Sequence, residues 1–410
     1  MITYEVKLKK IGEMTTIPDS QRLFGFLINS SKKCCTEDDI STFVKGVKEK
    51  KEKCMISNLM PTGYYPTPKA FILQNLECKL AENQEKIKEY EKEQNELNIE
   101  SNSIVRELIS KNNMKKNESI ELNKEEKKKL NDEINNLKLE LDKIKNNYNS
   151  LSKHINNLSG KNIYDAIKNM DFIKRFQLND FLKLSESKEI INVKKVKNFN
   201  YIKKNQTFIQ KFRLENQIKE LPGLPNIAYS LPILSFVDKK NKVVKEFSFF
   251  VKVMEGTCIS NILQYMKNSI SEQKTIGNKY EIPCFLGGKG SSGYNEYSIH
   301  NIEIISEEDE EIPSTNANYL NIGVLLPNFD KIDENNSVLD IYTSDRKPFE
   351  IENEISKVIS FVTAGSVIKV KEYKTELYKV GKSIDNSKYN PLYKKNAIIF
   401  GNSYLIKLEV

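Results

Sequence analysis

The sequence FLGGKGSSGY, which spans Phe285–Tyr294, is the most informative stretch of the chain. Its four glycines let a backbone approach a phosphate closely and adopt positive φ at little steric cost, so that successive N–H groups can converge on one anion. Lys289 adds a cation, and Ser291 and Ser292 add hydroxyl donors. No Gly-Lys-Ser/Thr sequence opens a helix here, and the stretch leads from a helix to a strand, so it is neither a P-loop nor a dinucleotide fingerprint. The pattern indicates a phosphate-binding loop, with a plain hairpin loop as the alternative.

Length and composition restrict the class of protein. The 410 residues suffice for two domains plus an insertion, and the net charge of +8 is compatible with a polyanionic partner. The chain contains no apolar run of about 18 residues and no signal-peptide pattern, so we expect a soluble, cytoplasmic protein. Its six cysteines lack metal-ligand spacing, and it has only two histidines. We therefore expect reduced thiols, no metal and no cofactor.

Residues 76–158 differ from the rest of the chain, because they include neither proline nor glycine and consist mainly of Lys, Glu, Asn, Leu and Ile. In the second half, apolar residues alternate four and three positions apart, which is the heptad pattern of a coiled coil. These residues are Leu130, Ile134, Leu137, Leu141, Ile144, Tyr148, Leu151, Ile155 and Leu158. A polar break at Lys111–Ser119 separates them from a looser first half. The pattern predicts an antiparallel helical hairpin, with His154 solvated beside its seam.

Without its insertions, the chain up to residue 305 reads strand, helix, strands, helix, glycine-rich loop and strand. Residues 2–9 alternate apolar and polar side chains, which predicts a half-buried strand, and Gly256–Ile270 reads as the second helix. Two strands are expected to flank the turn Asp238–Lys242, the second of them Val243–Val253. This order is close to the βαββαβ pattern of ferredoxin-like domains.

The predicted fold class is therefore α+β. We expect two ferredoxin-like (RRM-like) domains, the second degenerate, with a β-hairpin thumb and an inserted antiparallel coiled-coil hairpin. The predicted boundaries are 1–305 for the N-terminal domain, 76–158 for the hairpin, 160–250 for a basic thumb and palm extension, and 315–410 for the C-terminal domain.

The extension that follows Gly160 is basic and rich in aromatic residues. Lysines 194, 195, 197, 203 and 204 alternate with Phe199, Tyr201 and Phe208. Basic residues interleaved with aromatic ones suit a surface that follows a single-stranded RNA backbone. A solvated, irregular extension fits this segment equally well.

Several short motifs follow one another along the chain in the order of a known family. They are Leu23-Phe24-Gly25, Pro61–Pro68, Phe172–Leu182, the glycine-rich stretch, Leu320–Pro327, Ala364–Val367 and Asn390-Pro391-Leu392-Tyr393. Together they resemble the RAMP proteins of CRISPR effector complexes, and more closely the Cas5-type fourth subunit of type III-A (Csm) complexes. The chain departs from that family at Gln21-Arg22, where Asp-Thr is common, and at Asn390, where a histidine is usual. The long helical hairpin is extra.

The resemblance implies a non-catalytic RNA-binding subunit of a type III-A antiviral effector complex. Members of the family cap the repeat-derived 5′ tag of the crRNA and dock the large polymerase/cyclase subunit beside a backbone RAMP subunit. We expect no membrane partner. The expected phosphate ligands are Gly287, Gly288, Lys289, Gly290, Ser291, Ser292 and Gly293, and Tyr294 either stacks on a base or closes the loop. Arg22, Lys211 and Arg213 are further candidates for RNA contact, the last two just before the thumb. Gly365-Ser366 is interpreted as a structural turn.

Three other functions remain open at this point. A guide-processing ribonuclease on the same fold would use His300 as its general base. A subunit that cuts target RNA would use a loop aspartate, Asp38 or Asp39, although Thr36–Asp39 is also typical of a helix cap. A structural coiled-coil scaffold would account for residues 76–158 and would leave the glycine-rich stretch unexplained.

Overall fold

The computed structural model describes residues 1–116, 124–186, 189–212, 228–275, 281–305, 317–345, 358–371, 376–387 and 397–409. They divide into two compact units. The β-rich unit comprises Met1–Ile72, Asn169–Lys183 and Phe199–Val410, and the helical unit comprises Leu73–Lys168 and Leu184–Asn198. Within the described residues, no helix combines the length and the hydropathy needed to cross a membrane.

The main sheet of the β-rich unit consists of β1 (Ile2–Lys10), β2 (Cys54–Ile56), β3 (Met60–Pro61), β8 (Glu246–Val253), β9 (Ile282–Phe285) and β10 (Glu296–Ile305). All pairs are antiparallel, in the order β2-β8-β1-β10-β9, with β3 also paired to β8. Helices α1 (Ser20–Ser30) and α2 (Glu37–Lys48) follow β1, and α9 (Cys258–Thr275) follows β8. The strands β1, β2, β8 and β10 with these helices have the split βαβ order that the sequence predicts for its first domain.

The first strand is more deeply buried than its alternating sequence predicts. Tyr4 faces the helices, with its hydroxyl 3.1 Å from Ser260 Oγ in α9. On the opposite face Thr3 and Glu5 are buried as well. Arg175 Nη2 donates to Glu5 Oε1, and its guanidinium lies over the rings of Tyr65 and Phe250. This second layer, which the sequence does not reveal, covers the polar face of the sheet.

Both helices after β1 begin at side-chain caps. The carboxylate of Asp19 accepts a hydrogen bond from Arg22 N at 2.8 Å, at the start of α1. Thr36 and Asp39 form a capping box at the start of α2, each side chain bonding the other residue's N–H. The helix-cap interpretation of Thr36–Asp39 is therefore confirmed.

A second antiparallel sheet contains the hairpin. Its strands are β4 (Tyr64–Pro66), β5 (Phe172–Lys174), β6 (Tyr201–Phe212) and β7 (Ala228–Asp238), in that order, and the short helix α7 (Leu178–Leu182) follows β5. β6 and β7 pair antiparallel, from Ile202 opposite Asp238 to Phe212 opposite Ala228. The expectation that the thumb begins after Arg213 is therefore wrong, since Lys211 lies within the hairpin. The turn Asp238–Lys242 is flanked by β7 and β8 as the sequence predicts, and an antiparallel bridge joins Val237 to Val243 across it. The second strand begins at Glu246 and not at Val243.

The C-terminal part of the β-rich unit is built from short strands. β14 (Val367–Lys369), β11 (Asn318–Asn321) and β17 (Leu405–Leu408) form a three-stranded sheet in that order. β12 (Ile341–Asp345) pairs with β13 (Val358–Val362), and β15 (Ile384–Asp385) pairs with β16 (Ile398–Ile399). Among the described residues of 317–409 there is no α-helix. A second ferredoxin-like copy is thus not confirmed, and Asn390–Tyr393 lies outside the described residues.

The helical unit confirms the antiparallel hairpin. Between α3 (Lys69–Asn75) and the shorter helices α6 (Gly160–Lys168) and α8 (Val193–Asn198), the chain forms α4 (Glu77–Lys116) and α5 (Lys124–Leu158). Lys111 of α4 bonds Glu133, and Gln94 bonds the carbonyl of Tyr148, so the two helices run in opposite directions. Their shared core contains Ile104, Leu108, Ile134 and Ile144. α4 continues to Lys116, beyond the start of the expected break.

Candidate nucleic-acid interface

The glycine-rich stretch connects β9 to β10 at one edge of the main sheet. Sequence analysis places it directly after a helix, but the four-residue strand β9 comes first and pairs Phe285 with Glu296. The backbone turns through a short 3-10 segment, Gly290–Ser292, in which the N–H of Ser292 donates to Lys289 O at 3.0 Å. Lys289 has φ 62° and Gly293 has φ 76°. Left-handed backbone on both sides of the turn gives the loop its tight shape.

Asn295 holds this loop against the chain that follows β1. Its side chain is buried, and its Oδ1 accepts from Thr15 N at 2.9 Å. Its Nδ2 donates to Thr15 Oγ1 and to Gly288 O, each at 2.8 Å. Its own N–H donates to Glu13 O at 2.8 Å. These bonds fix the loop from both its ends, so the loop is braced by contacts that are distant in sequence.

Several N–H groups of the loop take no part in this bracing. Within the described residues, the amides of Gly287, Gly288, Gly290 and Ser291 donate no hydrogen bond to the protein. Lys289, Ser291 and Ser292 are exposed beside them, and a Cβ on Gly288 would meet no atom within 4 Å. Uncommitted amides, two hydroxyls and one ammonium in a single turn are donors suited to an anion. Of the seven predicted phosphate ligands, four thus offer an amide without an acceptor among the described residues. Lys289 and Ser292 offer an exposed polar side chain, and Gly293 offers neither.

Gly287, Gly290 and Gly293 have structural roles in addition. A Cβ on Gly287 would lie 2.9 Å from Asn295 Nδ2, and one on Gly290 would lie 3.0 Å from the ring of Phe285. Gly293 donates its N–H to Gly290 O at 2.9 Å. Its carbonyl oxygen approaches Gly12 so closely that a Cβ on Gly12 would collide with it. These glycines allow close packing of the loop as well as access to it.

Tyr294 closes the loop and does not offer a stacking face. Its side chain is 8% exposed and forms a cluster with Leu231 and Ile233 of β7. Of the two roles predicted for it, base stacking is wrong because burial leaves its ring no free face. The segment after β1 also bonds β7, where Leu234 N donates to Met14 O at 2.7 Å. The loop and one face of the hairpin are therefore in contact.

Arg22 lies at the same end of the sheet. It is exposed, and its Nη1 donates to Thr16 Oγ1, one residue after the Thr15 that Asn295 binds. Burial raises the pKa of the Tyr297 hydroxyl in β10, and the positive charge of Arg22 acts in the opposite direction. Arg22 is thus positioned by the same segment that braces the loop, as its predicted contact with RNA requires.

The hairpin adds basic and aromatic side chains, although one expected residue cannot be placed. Lys203, Lys204 and Phe208 of β6 are exposed. The backbone of Lys211 pairs with Tyr229 near the far end of the hairpin, and Arg213 lies outside the described residues. Lys239, beside the Tyr201 ring, has its pKa lowered by burial. The hairpin carries the interleaved pattern that favours single-stranded nucleic acid.

The other candidate residues have structural partners. His300 lies in β10 with its Nε2 2.9 Å from Glu246 Oε2. Gly365 has φ 99° and donates to Asn321 O, while Ser366 Oγ accepts from Asp340 N, so the turn interpretation of this pair is confirmed. All six cysteines are unpaired, and burial raises the pKa of the Cys284 thiol to about 12. Within the described residues, no group of three or more metal-ligand side chains comes together.

Sequence reasoning missed the residues that hold this interface together. Asn295 and Thr15 are single polar residues that are 280 positions apart, and no periodicity links them. The signal that was available is local, since an asparagine directly after a glycine-rich stretch tolerates the left-handed backbone that Asn295 adopts at φ 55°. Its partner follows only from the structure.

Comparison with known proteins gives structural likenesses alone. No family model and no curated protein match the chain. It is similar, at 14% identity and a TM-score of 0.43 over all of both chains, to a chain in the crystal structure of the Csm3-Csm4 subcomplex of the type III-A CRISPR-Cas interference complex. It is also similar, at 11% identity and a TM-score of 0.41 over 99% of that chain, to one in the Csm1-Csm4 cassette bound to cA4. Csm4 is common to both complexes. At these scores we derive neither family nor function from the likeness.

Proposed function

We propose that this chain is a non-catalytic RNA-binding subunit of a type III-A CRISPR effector complex, which caps the 5′ repeat-derived tag of the crRNA. The carrying observation is the turn Gly287–Ser291, where four amides have no acceptor within the described protein and lie beside the exposed Lys289. Phosphates are bound by backbone N–H groups, lysines and hydroxyls in this way. The bracing by Asn295 supports the proposal, because a preformed site loses less entropy when it binds.

The hairpin supports a single-stranded ligand. Basic and aromatic side chains follow β6, where Lys203 lies on the face of the hairpin that contacts Tyr294, and Lys204 and Phe208 lie on the opposite face. A surface of this kind follows a backbone and stacks its bases without reading a duplex groove. We expect the tag to lie along the loop and the hairpin.

The proposed protein partners rest on the order of the sequence motifs. We propose that the chain docks the large polymerase/cyclase subunit and an adjacent backbone RAMP subunit, in the cytoplasm. The helical hairpin of α4 and α5 is proposed to contact a neighbouring subunit. Deletion of residues 76–158 separates this role from RNA capping, because a capping subunit keeps its RNA whereas a scaffold loses its partner.

The proposal is tested first by purifying the tagged protein from its native host and sequencing the ends of the RNA that accompanies it. We expect short RNAs that share one repeat-derived 5′ sequence, together with a multi-subunit complex. A protein that is free of RNA and bound to one partner only would refute the capping function and favour the scaffold.

A substitution in the loop tests which site binds the RNA. Gly288→Asp adds a negative charge where the structure leaves space and where φ is ordinary. We expect RNA affinity to fall about tenfold, with a reduced salt dependence, because phosphate contacts are strongly electrostatic. Gly288→Ala is the matched control and should bind as the wild type does. Gly287 is unsuitable for this test, because a side chain there would collide with Asn295.

The absence of catalysis is tested separately. His300 is the general base that the sequence predicts for such an enzyme, and it is a half-buried residue of β10 whose Nε2 lies 2.9 Å from Glu246 Oε2. We expect no cleavage of a repeat RNA by the wild-type protein. Cleavage that is lost in His300→Ala would establish the processing ribonuclease instead.

A further inference from the structure

A cavity of about 280 Å³ lies in the helical unit, between α4 and α5. Its wall includes Leu97 and Ser101 of α4 and Ile144 and Tyr148 of α5. Lys145, which also lines the cavity, is exposed. The cavity therefore opens to solvent along one edge of the helical hairpin, and we call this side the cavity edge.

The cavity exists because a small polar residue occupies the seam between the helices. Along α4 the seam positions are Leu97, Ser101, Ile104 and Leu108, which lie three or four residues apart. Serine is much smaller than the leucine or isoleucine at the neighbouring positions, so the two helices leave a gap beside Ile144. A side chain from outside the hairpin can enter this gap.

The helix α4 also carries more apolar surface than one neighbouring helix covers. Ile104 and Leu108 are buried in the seam, whereas the next residues, Val105 and Ile109, are 36% and 56% exposed. A two-helix seam needs one narrow apolar stripe, but a helix in the core of a bundle carries a wider one. Val105 follows Asn98, which lines the cavity, by about two helical turns. The wider stripe thus lies on the cavity edge.

The two edges of the helical hairpin differ in charge. The edge opposite the cavity carries exposed glutamates, which are Glu93, Glu100 and Glu107 of α4 and Glu133 and Glu140 of α5. At the equivalent heptad positions on the cavity edge, α5 carries the exposed Lys138 and Lys145. Within the described residues neither lysine forms an ion pair, although Asp142 lies between them in the sequence. The cavity edge therefore offers two unpaired cations, about two helical turns apart.

We propose that the cavity edge binds an amphipathic helix of a neighbouring protein subunit, which forms a three-helix bundle with α4 and α5. The partner helix inserts a large apolar side chain beside Ser101 and covers Val105 and Ile109. Its acidic side chains lie against Lys138 and Lys145. The inference rests on the proposed contact between the helical hairpin and a neighbouring subunit, and it specifies the face and the chemistry of that contact.

Charge favours an acidic helix over a second copy of this chain. A two-fold axis brings the same surface of both copies together, so that Lys138 and Lys145 would face the equivalent lysines of the second copy. Like charges at such a contact oppose binding. A helix with an apolar face and acidic flanks instead matches both the gap and the cations, in the manner of helix-in-groove recognition.

The test is crosslinking within the complex that the tagged full-length protein forms in its native host. A photoreactive amino acid, p-benzoylphenylalanine, replaces Val105 in one protein and Leu139, which is exposed outside the cavity edge, in the control. We expect the Val105 probe to react with a segment of a copurified subunit in which apolar and acidic residues alternate with helical spacing. The Leu139 probe should not react with that segment.

The other outcomes of this crosslinking separate the inference from its premise. An intact complex would overturn the inference if the Val105 probe reacted with RNA, with a second copy of this chain, with a segment of another pattern or with nothing. A protein that purifies without any other subunit would refute the proposed assembly, and the inference with it.

Filling the cavity from within should displace the partner helix. Ser101→Leu should raise the temperature at which helix is lost, because the seam gains apolar burial. We expect it to retain about tenfold less of the crosslinked subunit, measured by quantitative mass spectrometry, because a side chain seated in a desolvated pocket dominates such an interface. Ser103→Leu makes the same change on the exposed surface of α4 and should match the wild type. Full retention by Ser101→Leu would overturn the inference.

Reversing the two cations tests the acidic character of the partner. We expect Lys138→Glu combined with Lys145→Glu to reduce retention of the subunit about fivefold at low salt, and less at high salt, because exposed ion pairs are weak and screened. Lys129→Glu combined with Lys143→Glu reverses as many exposed charges elsewhere on α5 and should leave retention unchanged. Equal losses for both pairs would show a general attraction to positive charge and would overturn the assignment to the cavity edge.

Discussion

The helical hairpin and the glycine-rich loop are ordered by opposite means. In the hairpin, α4 and α5 bury one seam whose residues repeat every three or four positions, and each helix forms its own backbone hydrogen bonds. The loop has no periodicity, and it is held by Asn295, which bonds a residue 280 positions away. The difference teaches that a long regular element can be recognised from its own sequence, whereas the shape of a binding loop depends on distant residues.

The largest effect is expected where the hairpin depends on its seam. Ile134 is buried between the two helices, and Ile134→Ala should destabilise the hairpin by about 3 kcal/mol through lost burial and a residual cavity. Far-UV circular dichroism should show an earlier loss of helix, while RNA affinity stays at the wild-type value.

Leu139→Ala provides the control on the same helix, because Leu139 is 62% exposed and should change the stability by less than about 0.5 kcal/mol. If Ile134→Ala lowered RNA affinity as strongly as it lowered helix stability, the two regions would not be independent and the comparison would fail.

The second-largest effect is expected in the loop, where a substitution should lower RNA affinity as well as stability. Asn295→Gly removes the bracing side chain but keeps a residue that accepts φ 55°. Thr15 N then loses its acceptor, so we expect a loss of about 2 kcal/mol in the free energy of unfolding, measured by urea titration. RNA affinity should fall as well, because the amides of the loop are no longer preorganised.

Asn241 offers a matched control for this substitution. It also has a left-handed backbone, at φ 58°, but it is exposed in the turn after β7. Asn241→Gly should therefore leave both stability and RNA affinity unchanged. Equal effects of the two substitutions would show that the backbone conformation, and not the bracing side chain, determines the shape of the loop.

The same distinction explains how much of the fold the sequence could predict. The cap at Thr36, the helical hairpin and the order of strands and helices along the first domain were predictable, because each depends on neighbouring residues or on a repeated pattern. β9 was missed because its four residues, Ile282–Phe285, are too few for a periodicity to be seen. The pairing of β7 with β6 was missed because the turn at Asp238 connects β7 to the strand that follows it, whereas the register of β7 with β6 is visible only in the structure.

The candidate site was predictable in its composition and not in its arrangement. Glycines, serines and a lysine in one turn indicate anion binding from chemistry alone, and six of them have uncommitted or exposed donors. The role of Tyr294 depended on Leu231 and Ile233 of a strand whose partner was not yet known.

The smallest effect tests whether distance along the chain or burial makes a contact strong. Lys48 Nζ lies 2.8 Å from Asp385 Oδ2, although 337 positions separate them, and the Asp385 side chain is 58% exposed. If burial decides, Asp385→Asn should reduce stability at neutral pH by only about 0.5 kcal/mol, far less than Asn295→Gly.

The pH dependence of that small difference has a definite sign. The hydrogen bond from Lys48, followed by those from Ser387, lowers the pKa of Asp385 to about 2, below the value near 3.9 of an unfolded chain. A lowered pKa stabilises the fold at pH values above the unfolded pKa. The gap in free energy of unfolding between wild type and Asp385→Asn should therefore be constant down to about pH 4, and it should vanish as the pH falls through about 2. Glu334→Gln changes an exposed acid without an ion pair among the described residues and should match the wild type in stability at neutral pH. A gap as large as that of Asn295→Gly would mean that an exposed contact between distant residues stabilises as much as a buried one, and the argument from burial would be wrong.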